Sequence, residues 1–230
     1  MEEIGLFEAI YSARALRRFK PDPVPDEIIT RILDAAIRAP TASNYQNWVF
    51  LVVKDAERRR RVAEVYRKVG DAIRPVIANL FQSAPAAPAQ LARQRRKLND
   101  SVLYLFEHMH VPPVLLVACL KPVAPYWQGA AVPDRIVAGM RAMARFDSSS
   151  IYPAVQNIIL ACRAFGLGTV LTTLHAVLED EVKAALEIPA EVDTWALLPI
   201  GYPLDKFGPV KRKPISEVAC LDRWGSPWPG

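Results

Sequence analysis

The segment Tyr152–Phe165 (YPAVQNIILACRAF) constrains the fold more than any other part of this 230-residue sequence. Read as a helix, it is apolar nearly all the way round, and Gly166-Leu167-Gly168 follows as a signal that ends a helix. A helix that is apolar on every side has to be covered on every side. The sequence therefore predicts a central buried helix with other elements packed around it.

Apolar stretches that predict strands alternate with helical patterns along the rest of the chain. This alternation predicts an α+β fold in which helices flank one central, mixed or antiparallel sheet. The length favours a single domain over residues 1–230. The predicted strands are Trp48–Val53, Pro113–Leu120, Thr169–Thr173 and Thr194–Gly201, and the other predicted helices lie at Ile4–Ser12, from Asp26 to Pro40, Ala56–Gly70, Arg93–His110 and Asp180–Leu186.

Two stretches rich in proline or alanine interrupt this pattern, at about Ile73–Ala92 and Lys121–Asp134. They predict irregular, lid-like excursions within residues 73–150. Their aromatic side chains, together with Tyr104, are candidates to cover a planar ligand, with surface or dimer packing as the alternative. These side chains are Phe81, Tyr126 and Trp127.

The bulk composition excludes several classes of protein. The longest apolar runs, such as Pro112–Leu120, are too short to span a bilayer, and the N-terminus lacks a secretory signal. Three cysteines lie far apart and fit buried thiols in a reducing cytoplasm. The net charge of +5 is spread along the chain without a nucleic-acid-binding module, so it favours an anionic cofactor over a nucleic acid.

Motifs for acid–base, nucleophilic or metal chemistry are absent from the sequence. The pair His108 and His110 has no third ligand nearby and is predicted to lie on the surface. Ser148–Ser150 lacks the surroundings of a nucleophile and is predicted to form a helix N-cap cluster. An enzyme with this sequence therefore leaves its chemistry to a cofactor.

Two segments offer groups that bind anions and heterocycles. Arg14, Arg17 and Arg18 lie within five residues on a predicted extended arm, where they can hold a phosphate or, alternatively, form a solvated basic face. The stretch Pro40–Trp48 (PTASNYQNW) places hydroxyls and carboxamides at a helix-to-strand turn. Carboxamides both donate and accept, which suits the polar edge of a flavin, although an ordinary turn is the alternative.

Taken in order, these segments resemble the nitroreductase family of flavoproteins. The family's basic opening motif appears as ARALRRF (Ala13–Phe19), followed by Pro23–Pro25 and by APTASNYQNW (Ala39–Trp48). The family's buried helix with its Gly-Leu-Gly end appears at Ala154–Gly168, and its Gly-Tyr-Pro turn and late Arg-Lys-Pro follow at residues 201–203 and 212–214. Residues 55–150 carry no matching motif.

The resemblance implies a nitroreductase-like fold in an intertwined homodimer, in which extended arms at residues 13–25 and 211–230 wrap the partner subunit. It implies that FMN lies at the dimer interface and that Arg14, Arg17 and Arg212 hold its phosphate. Ala13 and Ala15 stand where a basic residue and a serine are usual, and Arg18 either compensates for them or faces solvent. The remaining implied cofactor contacts are Ala15, Pro40, Thr41, Ala42, Asn44, Gln46, Thr172, Thr173 and Leu174.

The resemblance also implies a function for this site. NADH or NADPH would pass hydride to flavin N5, which Thr172 and Thr173 approach, and an electron-poor small molecule such as a nitroaromatic or quinone would then accept it in a ping-pong reaction. The expected protein is cytoplasmic and binds neither metal, membrane nor nucleic acid. The alternatives are a specialised family member, dehalogenase-like or flavin-consuming, a non-enzymatic flavin-binding or sensing protein, and a structural protein.

Overall fold

The computed structural model describes residues 4–82, 89–124, 133–134 and 145–229. Short turns of 3-10 helix lie at Ala42–Asn44, Leu174–Leu178 and Ile215–Glu217. The described helices are α1 (Leu6–Ser12), α2 (Asp26–Ala36), α3 (Ala56–Gln82), α4 (Ala89–His108), α5 (Arg145–Ala164) and α6 (Glu179–Leu186), and the described strands are β1 (Trp48–Val53), β2 (Val114–Leu120), β3 (Gly168–Thr169) and β4 (Asp193–Gly201).

The four strands form one antiparallel sheet in the order β1-β2-β4-β3. Strand β3 has only two residues, and an isolated bridge between Thr172 and Leu197 continues its pairing with β4. The predicted strand at Thr169–Thr173 is therefore present in interrupted form. Helices on both faces of one sheet confirm the predicted α+β class.

Alternation along β2 divides the core between the two faces of the sheet. Leu116, Ala118 and Leu120 pack with α2 and α5 in a first core, whereas Leu115 and Val117 pack with α3, α4 and α6 in a second core. Successive residues of a strand point to opposite faces. Because helices cover both faces, every residue of β2 is buried, which explains why its sequence is apolar without a polar alternate.

Helix α5 is the central helix that the apolar segment predicts, but it begins seven residues earlier, at Arg145. Ile151, Val155 and Ile158 are fully buried in the first core. The prediction that Ser148–Ser150 form an N-cap cluster is wrong, because these serines lie inside the helix. Ser150 is buried, and its Oγ accepts a hydrogen bond from the N–H of Ala42 at 3.1 Å.

The predicted irregular excursion at Ile73–Ala92 is wrong for residues 73–82 and 89–92, because α3 continues through Pro75 and α4 begins at Ala89. Ile73 and Ile77, one helical turn apart, pack on the second core. Tertiary packing of this kind outweighs the local preference against proline. Residues 83–88, and residues 125–132 of the second excursion, lie outside the described part of the chain.

The arm at residues 13–25 is extended as predicted, but in one chain it already lies on its own subunit. Leu16, Phe19 and Val24 are buried. The N–H of Leu16 donates to Thr169 O at 3.1 Å, and that of Lys20 donates to Tyr202 O at 2.8 Å. The apolar side chains of this arm therefore have partners within the chain, and its wrapping of a partner subunit stays a prediction.

Candidate functional site

The buried anchors of the arm determine which of its basic residues reach the interior. Because Leu16 and Phe19 point inward, Arg14, Ala15 and Arg18 are exposed and Arg17 is half-buried. The guanidinium of Arg18 lies over the ring of Tyr104, 4.8 Å from its centroid. Arg18 is thus held on the surface of α4 by a cation–π contact. Arg17 is the arginine of this cluster that enters the protein.

Arg17 sits where the arm meets α3 and α4. Its Nη1 donates a hydrogen bond to Ser101 Oγ at 3.4 Å, and Tyr66 is its electrostatic neighbour. Burial lowers the pKa of the Arg17 guanidinium, and Tyr66 partly offsets this effect. None of the ion pairs between described residues includes Arg17. A half-buried cation without a carboxylate is costly unless an anion from outside the chain joins it.

The segment after β3 forms the neighbouring wall. Thr172 exchanges two backbone hydrogen bonds with Leu197, at 3.0 and 2.9 Å, and its Oγ1 lies 2.9 Å from the hydroxyl of Tyr66. Thr173 is exposed and Leu174 is half-buried. The two predicted threonines therefore differ: the Thr172 hydroxyl is engaged inside the protein, and the Thr173 side chain faces outward.

The turn before β1 carries the second set of predicted residues and has a strained backbone. Ser43, Asn44 and Gln46 have φ values of 48°, 54° and 49°, in the left-handed region that non-glycine residues rarely adopt. Thr41 Oγ1 accepts a hydrogen bond from the N–H of Gln46 at 3.2 Å. Such strain persists where the surrounding structure imposes it, often at ligand sites.

The exposure of this turn leaves its polar groups available. Pro40, Asn44 and Gln46 are exposed, while Thr41 and Ala42 are half-buried. The carboxamides of Asn44 and Gln46 make no hydrogen bond to any other residue that the structure describes. They remain free to donate to and accept from a ligand.

One chain brings together only part of the predicted site. Arg17 and Thr172 share Tyr66 as a neighbour. No described hydrogen bond or ion pair joins this group to the Thr41–Gln46 turn. Arg212 is exposed, and its Nη1 donates to the carbonyl of Lys211 at 2.9 Å. The predicted residues thus form two groups and one separate arginine.

Sequence reasoning missed two polar residues beside Arg17 and one buried carboxamide on α4. Tyr66 lies on α3, and Ser101 and Asn99 lie on α4. The Oδ1 atom of Asn99 is buried without a hydrogen-bond partner among the described residues. All three fall in the stretch without family motifs, where they follow ordinary helical patterns. No local signal distinguishes them from core or surface positions.

Of the aromatic side chains predicted to cover a ligand, the structure describes only that of Tyr104. Tyr104 is half-buried on α4, and its ring stacks on that of His108 with centroids 3.8 Å apart. The side chains of Phe81, Tyr126 and Trp127 lie outside the described part of the structure. His110 is exposed as predicted, and His108 is half-buried.

His175, by contrast, is fully buried next to the Thr172–Leu174 segment. Neither ring nitrogen has a partner with hydrogen-bonding geometry among the described residues. Burial lowers the pKa of His175, while Glu179 and the nearby backbone of Thr194 and Thr172 oppose this. The folded protein therefore holds the ring neutral more strongly than the unfolded chain does.

This difference predicts a loss of stability in acid. The unfolded histidine binds a proton near pH 6.5, whereas the buried ring resists protonation. The free energy of unfolding therefore decreases as the pH falls below about 6.5. The slope for one group is at most about 1.4 kcal/mol per pH unit. We expect His175→Leu to flatten the decrease in unfolding free energy between pH 7.5 and 5, measured by urea titration. Equal slopes for the His175→Leu and wild-type proteins would contradict the prediction.

The sequence matches the model of the Nitroreductase family over residues 10–202. The chain belongs to the Nitroreductase family. The match begins before the basic arm and ends within the Gly-Tyr-Pro turn, so it covers the arm, the strained turn, α5 and the segment after β3. The family resemblance that the motifs predict is confirmed.

The relatives of this Nitroreductase family chain carry names that indicate several different activities. It is 28% identical over 212 residues to a Thermus thermophilus protein named NADH dehydrogenase, covering 91% of this chain and 92% of that protein. It is 30% identical to the 5,6-dimethylbenzimidazole synthase of Rhodospirillum rubrum, covering 94% and 88%. Its fold matches an iodotyrosine deiodinase bound to FMN and 3-iodo-L-tyrosine, with a TM-score of 0.66, 22% identity and coverage of 96% and 100%.

None of the described helices is long and apolar enough to cross a bilayer. Within the same part of the chain, no group of three or more His, Cys, Asp or Glu side chains is arranged to hold a metal ion.

Proposed function

We propose that this protein is a cytoplasmic, homodimeric, FMN-dependent oxidoreductase that uses NADH or NADPH to reduce an electron-poor small molecule, such as a nitroaromatic or a quinone. The observation that carries the proposal is Arg17, a half-buried cation without a carboxylate among the described residues of a Nitroreductase family chain. When bound, FMN would supply the hydride transfer, alternating between donor and acceptor in a ping-pong reaction.

The polar groups around Arg17 and in the turn suit an anionic, planar cofactor. Arg17 offers a guanidinium without a carboxylate partner among the described residues, and Ser101 offers a hydroxyl group beside it. In the proposed complex Arg14, Arg17 and Arg212 hold the phosphate, and Asn44 and Gln46 meet the polar edge of the ring. Pro40, Thr41, Ala42, Ala15 and the segment Thr172–Leu174 complete the proposed contacts.

A second subunit accounts for the separation of these groups. Several large apolar side chains remain exposed, including Phe7 and Tyr11 on α1 and Ile215, Val218 and Trp224 in the tail. Exposed apolar clusters of this kind mark protein interfaces. In the proposed homodimer, the tail carries Arg212 to the partner's flavin and so completes each site.

The proposal is tested by spectral titration of the purified protein. It should be yellow or take up added FMN, lose its visible absorption with NADH or NADPH, and recover it when a nitroarene or quinone is added. The same preparation should sediment as a dimer at micromolar concentration. A protein that remains colourless with added FMN would refute the flavin site, and a stable monomer would refute the shared one.

A flavin-consuming reaction is the second candidate, because the 5,6-dimethylbenzimidazole synthase relative is 30% identical over most of both chains. The two candidates differ in the fate of the cofactor. After many turnovers with NADPH and an acceptor, an oxidoreductase returns FMN intact, whereas a flavin-consuming enzyme depletes it. Chromatography of the flavin before and after turnover separates them. Steady NAD(P)H oxidation also excludes a purely flavin-storing or sensing role.

A further inference from the structure

Tyr66 places a hydroxyl group within the second core, beside the proposed flavin site. Its ring is 2% exposed and packs on Phe106, with centroids 5.0 Å apart. Its hydroxyl lies 2.9 Å from Thr172 Oγ1, and this is the one hydrogen bond that the described residues provide for the phenol. Helix α3 is thereby linked to the segment that carries Thr172 and Thr173.

Two hydroxyl groups carry two protons, and the single hydrogen bond between them uses only one. The other proton needs a separate acceptor. Thr172 Oγ1 also accepts a hydrogen bond from the N–H of Leu174 at 3.4 Å, but this bond uses no hydroxyl proton. If Tyr66 donates, the Thr172 proton lacks an acceptor among the described residues, and if Thr172 donates, the Tyr66 proton does. A buried donor left without an acceptor is unfavourable.

Arg17 decides which of the two protons remains free. A guanidinium has only donors, so it cannot accept the phenol proton, and its charge attracts the phenol oxygen and repels a proton directed at it. Burial raises the pKa of Tyr66, and Thr172 and Arg17 offset this only in part. The phenol therefore keeps its proton at neutral pH and donates it to Thr172.

The free proton is then that of Thr172, whose position is restrained. The backbone N–H and C=O of Thr172 are both hydrogen-bonded to Leu197 on β4, and the residue is only 8% exposed. An acceptor from a ligand would complete the chain of hydrogen bonds. We propose that Tyr66 is a positioning residue that orders the Thr172 hydroxyl so that its proton is donated to the bound flavin. This inference rests on the proposed function, because it requires a flavin beside residues 172–174.

The test measures how strongly the full-length protein prefers reduced over oxidised FMN, from the dissociation constants of the two forms and the reduction potential of the bound flavin. A donated hydrogen bond favours the electron-rich reduced form. We expect Tyr66→Phe to lower the preference about two- to tenfold, the range of one neutral hydrogen bond. Thr172→Val should do the same, Thr172→Ser should retain the wild-type ratio, and Tyr66→Phe with Thr172→Val should show no more than the larger single effect.

Tyr152→Phe is the matched control, since it also removes a phenol hydroxyl, which donates to Trp195 O at 3.4 Å on the other side of the sheet. Its ratio should equal that of the wild type. The proposal is overturned if folded Tyr66→Phe retains the wild-type ratio, if the two single effects add, or if Thr172→Val leaves the ratio unchanged, whether or not Tyr66→Phe folds.

The same measurements separate this proposal from the proposed function. A wild-type protein that binds FMN but does not oxidise NADH or NADPH refutes the proposed reaction, while the FMN ratios still decide the role of Tyr66. A wild-type protein that binds no FMN overturns both. A wild-type protein that oxidises NAD(P)H, with a Tyr66→Phe variant of the same FMN ratio, overturns only the role of Tyr66.

Discussion

Replacing Arg17 with alanine is expected to raise the dissociation constant of FMN by about 10- to 150-fold. Hydrogen bonds to charged groups contribute about 1.5–3 kcal/mol, and each 1.4 kcal/mol is tenfold in affinity. The FMN-free variant should be at least as stable as the wild type, because the substitution removes a half-buried cation that has no carboxylate partner among the described residues. Fluorescence titration with FMN and thermal unfolding of the apoprotein measure the two effects.

Arg18→Ala is the control for this prediction. Arg18 lies one residue away but is exposed and stacked on Tyr104. Its removal loses a surface cation–π contact of about 0.5–1 kcal/mol and should change FMN affinity less than about threefold. If Arg17→Ala and Arg18→Ala weaken binding equally, the affinity comes from general positive charge and not from Arg17.

The family resemblance also predicts an effect of Arg212 on FMN binding, which should be smaller than that of Arg17. Because the proposed dimer places this exposed arginine at the partner's phosphate, Arg212→Ala should lower FMN retention during purification without changing the environment of Arg17. The loss should be smaller than for Arg17→Ala, since an exposed contact is weakened by solvent. Unchanged retention would show that the phosphate is held elsewhere.

Gly70→Ala is expected to destabilise the protein by about 1 kcal/mol net, through a clash between α3 and α4. A Cβ at this position would lie 2.4 Å from Cγ and 2.8 Å from Cβ of Phe106, atoms too close to the backbone to move aside. Overpacking costs about 1–3 kcal/mol, which exceeds the ~1 kcal/mol that alanine gains over glycine in a helix. Urea unfolding measures the net effect.

A control variant and a double-mutant cycle distinguish this clash from a general effect of the added methyl group. Gly208 has no atom within 4 Å of the position of its Cβ, so Gly208→Ala should change stability by less than about 0.5 kcal/mol. In a Phe106→Ala background the clash is absent, and Gly70→Ala should then be neutral or stabilising. Destabilisation of the same size in both backgrounds would show that the contact with Phe106 is not its cause.

The parts of the fold that follow from sequence are those whose signals are local and periodic. The apolar run of residues 113–120 predicts the strand β2, and the Gly166–Gly168 signal predicts where α5 ends. The position of Pro75 misleads, because local preference predicts a break while the packing of Ile73 and Ile77 keeps α3 helical. Local signals therefore predict an element well only where packing does not oppose them.

The candidate site likewise contains some residues that the sequence predicts and others that it does not. The arm with Arg17 and the turn at Thr41–Gln46 are recognisable, because their motifs occur in the same order along the chain as in the family. Tyr66 and Ser101 are not recognisable, because each lies on a helix in a position that a core or surface residue also occupies. Their proximity to Arg17 depends on how α3 and α4 pack against the arm, which is a long-range property of the chain.

By itself, the sequence determined the α+β class, the Nitroreductase family and the segments that bear the proposed flavin contacts, since these depend on periodicity and on ordered motifs. Only the tertiary structure decided that Arg17 and not Arg18 enters the protein, that the Thr172 hydroxyl is bound by Tyr66, and that His175 is buried. Burial and unpaired charge arise from contacts between residues far apart in sequence.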